Sequence, residues 1–550
     1  MTLAWQGPDG AREVSFEPGQ SLAAALTAAG ITALRQTRRD GPGRGLFCGM
    51  GVCQDCLVVV DGEPNQRACM TKARHGQTVA WQPYPAAAAQ TPAGPMSEMP
   101  PVETCDLLIL GGGAAGLSAA IAARRCGLDV LLLDERAASG GQYYKQPAPD
   151  LVATPLDAQA REGATLVAAA EASGARILRG AEAWGAFAAD RIAVFDGHRT
   201  RMIAPCALIV ATGAQEAGLP LPGWTLPGVM TVGAAQTLWR SYRVTPGRRV
   251  LVAGNGPLNL QVASEMATAG CAVVAVAEAA RMADPGAALA MLRADPLLAL
   301  RGIGLVGRLR RQGVPLLRGA QLVGVVQHDA ALRATVRTRR GTETFDVDSV
   351  LMGYGFQPAN EVLRALGAAQ DYDAARGHLV TRRDAHGMTS VDGVYAVGDC
   401  AGLGGAPAAR EEGTIAALAV AHRLGRVPPA DLLPTAHARL ARHRRFQAAL
   451  WRLFAAPRPG IALANDATLI CRCEEVTKAE IATVLADGAP SIGEVKRRTR
   501  CGMGRCQGRY CAPILAAWLA EAQGRPLDAM AMFAPQAPIK PVAIADIVAR

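Results

Sequence analysis

The central part of the chain alternates short apolar runs with glycine-rich turns and helix-forming stretches. The run Asp106–Leu110 leads into closely spaced glycines and then an Ala-rich stretch of about a dozen residues. A second apolar run, Val130–Leu133, ends in acidic residues. Because buried parallel strands are short continuous apolar runs, this stretch predicts a strand–turn–helix–strand unit.

Later stretches repeat parts of this pattern. Ala207–Gly213 is an apolar run that ends in a small-residue turn, and Gly393–Gly402 is another, ending at Gly398 and Asp399. Arg248–Glu278 again combines strand, glycine turn, helix and strand. A repeated unit of this kind indicates a duplicated α/β architecture and not a short-period repeat.

The first glycine turn has the G-x-G-x-x-G pattern of dinucleotide-binding folds. Gly111 permits the tight turn, Gly113 lets the backbone approach a pyrophosphate, and Gly116 lets helix and strand pack closely. The pyrophosphate would lie at the helix N-terminus, where free N–H groups favour anions. A carboxylate at the end of the second strand would accept a ribose hydroxyl. Asp134 has the better spacing for this role, and Glu135 is the alternative.

Residues 1–83 form a separate unit. Glu13–Phe16 and Leu57–Val60 are predicted strands, and Ser21–Ala29 is a predicted short helix capped by its serine. Residues 84–103 are rich in proline and alanine and almost uncharged, which predicts an exposed linker. The dinucleotide-binding part therefore begins at about residue 104.

Composition narrows the class of protein. With 550 residues, half of them apolar and 19% charged, the chain is long enough for several cores. Its net charge of +10 is spread over single arginines without a dense basic tract, which argues against nucleic-acid binding. Neither a signal peptide nor a transmembrane segment is visible, so we expect a cytoplasmic protein. There, the 14 cysteines favour metal ligands over disulfides.

Cys48, Cys53, Cys56 and Cys69 have the spacing of plant-type [2Fe–2S] ferredoxins, C-x4-C-x2-C followed by a fourth cysteine. Glycines among the first three let the loop curl with its N–H groups pointing inward. A zinc site or buried free thiols are the alternatives, although zinc sites more often have paired C-x2-C knuckles. We predict an iron–sulfur cluster here.

The C-terminal part has a different thiol pattern. Cys471 and Cys473 are followed by Cys506 and Cys511, with Cys501 just before that pair. Iron held by thiolates has net negative charge, which nearby arginines would offset: Arg472, Arg505 and Arg509. Spacing alone does not decide which four of these cysteines bind, and zinc is the alternative to a second cluster.

The other cysteines are predicted to be ordinary buried thiols: Cys105, Cys126, Cys206, Cys271 and Cys400. None forms a C-x-x-C pair beside a nucleotide motif, which disfavours a dithiol disulfide-reductase mechanism. The histidines are scattered and expected on solvated faces, and Tyr143–Tyr144 fits flavin-pocket packing as well as chemistry. The catalytic residues are therefore unknown.

Residues from Thr104 to about Ala430 resemble the flavoprotein fold of glutathione and thioredoxin reductases, an α/β fold with two dinucleotide-binding domains. The resemblance implies FAD bound to the first domain, with Asp399 bonded to the ribityl chain. The implied cofactor contacts are Gly111, Gly113, Ala115, Gly116, Asp134, Glu135, Gly141, Gln142, Ala211, Thr212, Gly213, Gly398 and Asp399, with Gly254 and Gly256 in the second unit.

The tail resembles the [2Fe–2S] domain of bacterioferritin-associated ferredoxin, where C-x-C is followed about 32 residues later by a second pair. That resemblance selects Cys471, Cys473, Cys506 and Cys511 as ligands and leaves Cys501 as an extra thiol. It implies a small helical domain at the C-terminus. The N-terminal unit correspondingly resembles a β-grasp ferredoxin.

The domain order resembles the α subunits of heteromeric amine and imino-acid dehydrogenases: opine (octopine/nopaline) oxidase, D-hydroxyproline dehydrogenase and hydrogen cyanide synthase. The segments Pro222–Thr231 and Cys501–Cys511 carry this resemblance. It implies a hetero-oligomer in which a flavin-containing β subunit of amine-oxidase type oxidises a C–N bond. This chain would pass the electrons to a downstream acceptor, and an FMN would lie at the subunit interface.

The predicted domains are 1–83 for the ferredoxin unit, 104–245 with 355–430 for FAD, 246–354 for the second nucleotide fold and 431–550 for the tail. The second fold departs from NAD(P) binders because Asn259 replaces the third glycine, and we expect it to push helix and strand apart or re-route the loop. An adenine nucleotide or a merely retained fold is the alternative. The rival functions are a self-contained NAD(P)H-dependent oxidoreductase and a redox- or iron-sensing binding protein.

Overall fold

The computed structural model describes residues 1–86, 102–151, 157–487 and 491–547, so most of the predicted linker lies outside it. The N-terminal domain is a β-grasp sheet of order β2-β1-β5-β3-β4, in which β1 and β5 are parallel. Its elements are β1 (Thr2–Gly7), β2 (Gly10–Ser15), α1 (Leu22–Ala28), β3 (Leu57–Val60), β4 (Glu63–Arg67) and β5 (Thr78–Trp81). The predicted cap is confirmed, because the Ser21 hydroxyl accepts a hydrogen bond from the Ala24 N–H.

The first dinucleotide-binding domain is built on a mostly parallel sheet of order β8-β7-β6-β11-β10-β9, in which the later strand Val394–Ala396 pairs with β11. The predicted strand–turn–helix–strand unit is confirmed as β6, α2 and β7. The elements are β6 (Val102–Leu110), α2 (Ala114–Arg125), β7 (Val130–Asp134), α3 (Ala158–Ala172), β8 (Arg176–Arg179), β9 (Glu182–Ala188), β10 (Arg191–Phe195), β11 (Thr200–Val210), β12 (Ala214–Glu216), β13 (Val229–Thr231) and α4 (Val232–Tyr242).

The second domain has a parallel sheet of order β13-β20-β14-β15-β16 and an antiparallel sheet β17-β18-β19. It therefore takes in β13 and α4, and the predicted boundary at residue 245 is wrong. A three-residue strand is too short to stand out in the hydrophobic pattern. The further elements are β14 (Arg249–Gly254), α5 (Pro257–Thr268), β15 (Ala272–Glu278), α6 (Pro285–Ala294), α7 (Pro296–Arg311), β16 (Leu316–Arg318), β17 (Gln321–His328), β18 (Ala331–Thr338), β19 (Gly341–Val347), β20 (Ser349–Gly353) and β21 (Phe356–Pro358).

The chain then returns to the first domain and ends in the tail. Helix α10 packs against α6 and α9 of the dinucleotide-binding domains, so the compact tail domain begins after this helix and not at residue 431. The elements are α8 (Glu361–Ala365), β22 (Gln370–Asp373), β23 (His378–Thr381), β24 (Val394–Ala396), α9 (Ala406–Arg423), α10 (Leu432–Leu453), β25 (Leu469–Cys471), β26 (Val476–Thr477), α11 (Lys478–Ala486), α12 (Ile492–Thr499), α13 (Cys511–Ala522) and α14 (Ile544–Ile547).

The hydrophobic cores cross the domain boundaries. One core joins Leu3 and Leu26 of the N-terminal domain to Val232 and Leu238 of α4. Another joins Phe47 of the N-terminal domain, Trp224 of the dinucleotide-binding region and Tyr510 of the tail. The thiol loops are thus packed onto the dinucleotide-binding domains.

Among the residues that the structure describes, no helix has the length and apolar character needed to cross a membrane.

Candidate functional site

The first glycine turn lies at the C-terminal edge of the parallel sheet, where ligand crevices form in folds of this type. A Cβ on Gly116 would lie 1.9 Å from the Gly111 carbonyl oxygen, so this glycine is needed for helix α2 to approach strand β6. A Cβ on Gly141 would lie 2.8 Å from the Gly113 Cα, so a second glycine turn lies against the first. The sequence motif is therefore folded into a narrow backbone cradle.

Asp134 ends strand β7 beside this cradle. Its Oδ1 accepts a hydrogen bond of 3.0 Å from the Arg136 N–H, whereas its Oδ2 is buried without a hydrogen-bond partner among the described residues. Burial raises the pKa of Asp134 to about 6. A buried acceptor that lacks a donor matches a site for a ribose hydroxyl, so the residues present fit the ADP part of FAD. Glu135, the alternative, instead forms an ion pair with Lys540 of the tail.

Two further turns predicted to contact FAD close on the same edge of the sheet. A Cβ on Gly111 would lie 2.4 Å from the Ala211 carbonyl oxygen, and a Cβ on Gly398 would lie 3.2 Å from the Ala115 Cβ. Asp399 uses Oδ1 to accept the N–H groups of Gly404 and Gly405, at 2.9 and 2.8 Å. The structure therefore brings the predicted FAD contacts of the first domain to one place.

A buried lysine and a buried glutamate lie next to this region, and the sequence motifs did not identify them. Lys145 Nζ donates to the Gly233 carbonyl and to Gln236 Oε1, both at 3.1 Å, and burial lowers its pKa to about 7. Glu216 accepts the Gly233 N–H at 3.0 Å, and burial raises its pKa to about 7. The only sequence signal was the position of Lys145 directly after the second glycine turn.

The four N-terminal cysteines are all buried in and beside one loop. The Cys53 N–H donates to Cys48 Sγ at 3.4 Å. Burial would raise the pKa of Cys48, but hydrogen bonds from the Cys53 side chain and from loop N–H groups lower it to about 6. Cys56 and Cys69 likewise form a side-chain hydrogen bond that raises the pKa of Cys69. Inward N–H groups and paired thiols are what a [2Fe–2S] cluster requires.

All five tail cysteines converge. Cys473 Sγ lies 3.9 Å from Cys471 Sγ and 3.6 Å from Cys506 Sγ. The Sγ atoms of Cys471, Cys501 and Cys511 lie within 4.8 Å of one another. The structure therefore places Cys501, which the resemblance left out, among the candidate ligands, and the choice of four stays open.

The two thiol loops meet at a buried ion pair. Arg472 Nε lies 2.7 Å from Asp55 Oδ2, and the two side chains are 3% and 0% exposed. Burial would raise the pKa of Asp55, but the guanidinium groups of Arg472, Arg35 and Arg44 hold it below its usual value. Sequence analysis assigned Arg472 a general charge-balancing role and missed Asp55, because residues so far apart in the chain give no local signal.

The second glycine turn is closed by its own acidic residue. Glu278 is fully buried, and its two carboxylate oxygens accept the N–H groups of Gly256 and Ala280 at 3.0 and 2.9 Å. The expectation that Asn259 forces helix and strand apart or re-routes the loop is wrong. Its Nδ2 donates to the Gly353 carbonyl at 3.0 Å, and the missing Cβ of Gly353 leaves room for the amide.

One prediction about the remaining cysteines is also wrong. Cys206 is exposed, because its side chain lies on the outer face of β11, whereas the other four are buried. Cys400 donates to the Val210 carbonyl at 3.2 Å, as expected of a structural thiol.

Family models match three segments. Residues 105–423 match the model "Pyridine nucleotide-disulphide oxidoreductase", residues 9–84 match "2Fe-2S iron-sulfur cluster binding domain", and residues 465–550 match "Sarcosine oxidase A3 domain". The first match implies FAD and the second a [2Fe–2S] cluster. The expected α/β flavoprotein fold with a ferredoxin domain is thereby confirmed.

Individual proteins match over most of the chain. An opine oxidase subunit of Agrobacterium tumefaciens (strain Ach5) is 33% identical over 462 residues, which cover 80% of this chain and 91% of that protein. Hydrogen cyanide synthase subunit HcnB of Pseudomonas aeruginosa is 32% identical, covering 79% of this chain and 96% of that protein. The crystal structure of L-proline dehydrogenase from P. horikoshii shares the fold, with a TM-score of 0.73, 21% identity and coverage of 100% of this chain and 98% of that one.

These relatives are named as subunits of larger enzymes, which agrees with the expectation of a hetero-oligomer. The matched family and the matched subunits are all oxidoreductases. The chain belongs to the pyridine nucleotide-disulphide oxidoreductase family and, within it, to the flavin and iron–sulfur subunits represented by HcnB and the matched component of opine oxidase.

Proposed function

We propose that this chain is the electron-transfer subunit of a heteromeric dehydrogenase or oxidase. A partner flavin subunit would oxidise the C–N bond of an amino acid, imino acid or opine. The observation that carries the proposal is the direct contact between the two thiol loops, through Arg472 and Asp55, on a dinucleotide-binding scaffold. Such an arrangement serves electron transfer between cofactors, and the names of the relatives, which are subunits of oxidases and synthases, support it.

The proposed cofactors are FAD and two [2Fe–2S] clusters, with FMN at the partner interface as a further element that rests on the resemblance alone. When bound, flavin supplies a two-electron couple and the clusters supply one-electron couples. This chain's own residues hold these groups: Asp134 offers an acceptor oxygen to a ribose, and the thiols gather in two buried loops. The partner would contain the substrate site.

The rival function is a self-contained NAD(P)H-dependent oxidoreductase, and the retained glycine turn Gly254–Gly256 is the feature that favours it. The carboxylate that would accept a nicotinamide-side ribose is Glu278, and both of its oxygens already accept backbone N–H groups. Burial also raises its pKa to about 7, which weakens it as an anionic acceptor at neutral pH. We therefore place electron entry at the partner and not at this turn.

Anaerobic titration of the purified full-length chain with NADH, NADPH and dithionite tests the proposal. We expect neither nicotinamide to bleach the flavin, while dithionite develops two distinct [2Fe–2S] EPR signals. Prompt reduction by NADH would show that the chain is a reductase in its own right. A sensing protein, the third candidate, would leave the substrate oxidation of the purified complex unchanged when its clusters are removed.

A further inference from the structure

The ion pair between the thiol loops is in direct sequence contact with both sets of cysteines. Asp55 immediately precedes Cys56, and Arg472 lies between Cys471 and Cys473. Consecutive Cα atoms are about 3.8 Å apart, so each charged residue is as close to its thiol loop as the backbone permits. The Nε–Oδ2 distance of 2.7 Å then joins one loop to the other.

More guanidinium groups than carboxylates surround this pair. Arg35 Nη2 lies 3.3 Å from Asp55 Oδ1, and Arg35 Nε donates to the Asp55 carbonyl at 3.0 Å. Arg44 is a third guanidinium near the same carboxylate, and burial lowers its pKa to about 10. Although Glu475 also acts on Arg44, the centre of the junction holds excess positive charge.

Arg472 is also fixed by aromatic rings from the two other domains. Its Cζ lies 3.6 Å from the ring of Phe47, which immediately precedes Cys48, and 4.6 Å from the ring of Trp224. Its Nη1 donates to the Trp224 carbonyl at 2.7 Å. Trp224 Nε1 in turn donates to the Leu469 carbonyl of the tail at 2.8 Å. Cation–π contacts and a planar fork of donors hold the guanidinium in one orientation.

A buried ion pair adds little to stability relative to apolar side chains of the same volume, because both charges lose their hydration. Its effect on neighbouring groups is larger, since the low dielectric strengthens every interaction of the charges. Thiolate-bound iron–sulfur clusters gain negative charge on reduction, and nearby charge is one of the factors that set their potential. Positive charge at this place favours the reduced forms.

We propose that Arg472 is a positioning residue: paired with Asp55, it fixes the two cluster-binding loops against each other and sets the reduction potentials of the clusters they bind. The inference rests on the proposed function, because it requires clusters in both loops. It adds to that function a junction between the two one-electron sites that is built from this chain's own charges.

The test measures the midpoint potential of each cluster by EPR-monitored redox titration of the full-length protein. Arg472→Gln removes positive charge and lowers the potential of the tail cluster, whereas Asp55→Asn removes negative charge and raises the potential of the N-terminal cluster. We expect each substitution to shift the ratio of reduced to oxidised cluster about tenfold at fixed solution potential, which is about 59 mV for a one-electron couple. Opposite signs are the signature of charge, which loosened packing would not produce.

Arg39→Gln is the matched control. Arg39 Nη2 lies 2.7 Å from Glu480 Oε1, so it also pairs the N-terminal domain with the tail, but both side chains are about two-fifths exposed, at 42% and 43%. Neither residue is next to a cysteine. This variant loses an interdomain ion pair without altering the junction, and we expect both midpoint potentials to stay at the wild-type values.

Unchanged potentials, or shifts of the same sign, in iron-loaded Arg472→Gln and Asp55→Asn overturn the inference. If Arg472→Gln loses iron, Arg472→Lys replaces it and must hold the potential within about threefold of wild type in the same ratio, since the charge is kept. A fall in the potential of Asp55→Asn overturns the inference in either case. Wild-type protein with iron for one cluster only would instead defeat the proposed function, so the two failures are distinguishable.

Discussion

The glycines of the first turn are required for different physical reasons. Any side chain on Gly116 would collide with backbone, at 1.9 Å from the Gly111 oxygen, whereas a Cβ on Gly113 would meet, among the described residues, only the Gly141 Cα at 3.8 Å. Gly116 therefore serves the fold. Gly113 leaves a space that the described protein atoms do not fill, which is where the fingerprint places a pyrophosphate.

We therefore predict that Gly113→Val folds but loses FAD, with a drop in bound flavin of about tenfold or more, because its side chain occupies the pyrophosphate position. The flavin absorbance per protein and the thermal midpoint of the flavin-free protein measure the two effects. Gly302→Val is the control, since a Cβ on Gly302 in α7 would extend into open space. Full flavin content in the Gly113 variant would mean that FAD binds elsewhere.

Asp134 predicts how flavin affinity depends on pH. Burial raises its pKa to about 6 from 3.8, so flavin-free folded protein binds a proton that the unfolded chain releases, and its stability falls as pH rises from about 4 to 6. A ribose hydroxyl donates to the ionised form. The FAD dissociation constant should therefore increase up to about tenfold per pH unit below pH 6.

Fluorescence of released flavin between pH 5 and 7 checks this dependence. In Asp134→Asn the acceptor no longer titrates, so we expect weaker binding with a flat profile over the same range. A wild-type profile that is unchanged in the variant would assign the pH dependence to another group.

Residues were predictable where one local motif determines them and not where distant segments meet. The first glycine turn, Asp134 and the cysteine spacings each lie within one stretch of chain. The contact between Asp55 and Arg472 joins residues 417 positions apart, and Cys501 differs from its neighbours only by where the tail folds. No pattern in the sequence encodes such contacts directly.

At the scale of elements, the N-terminal thiol loop is separate from the tail in sequence and carries its own cluster. We predict that Cys53→Ser abolishes the N-terminal [2Fe–2S] signal while flavin and the tail signal remain, because the serine hydroxyl does not replace a thiolate ligand. Iron analysis and EPR of the dithionite-reduced protein measure this. Cys271→Ser, which alters a buried thiol of the second domain, should retain both signals. Loss of both signals in the Cys53 variant would contradict two independent sites.

The tail loop gives a prediction about its ligand set. We expect Cys506→Ser to lose the tail cluster and Cys501→Ser to keep it, because the C-x-C and C-x4-C pairs supply four thiolates without Cys501. Since Cys501 lies within 4.8 Å of Cys471 and Cys511, its removal should still shift the EPR g-values. Iron loss in the Cys501 variant would place it among the four ligands instead.

Elements with long or repeated patterns were predicted well, and short or compensated ones were not. Strand Leu57–Val60 and the unit formed by β6, α2 and β7 follow from apolar runs and turns. The boundary near β13 was misplaced because that strand has only three residues. Asn259 was misjudged because its compensation, Gly353, lies 94 positions away on a neighbouring strand.

At the scale of the whole molecule, sequence separates the domains but does not reveal that they share cores. The N-terminal core continues into α4, and a second core joins Phe47, Trp224 and Tyr510 from three domains. Domains that share buried surface unfold together, because exposing one exposes the others. We therefore expect one thermal transition in which flavin release and loss of cluster absorbance coincide.

Trp224 is the residue on which this coupling depends. It is 1% exposed, its ring lies 5.9 Å from that of Phe47, and it bonds the tail at the Leu469 carbonyl. Trp224→Ala should destabilise the protein by about 3–5 kcal/mol and separate the two transitions, since it removes a large buried ring where three domains meet. Trp451→Ala, in the half-buried helix α10, should lower the midpoint without separating them. If flavin and clusters are still lost together in the Trp224 variant, the docking of the domains must depend on the remaining contacts, chief among them the buried Arg472–Asp55 pair.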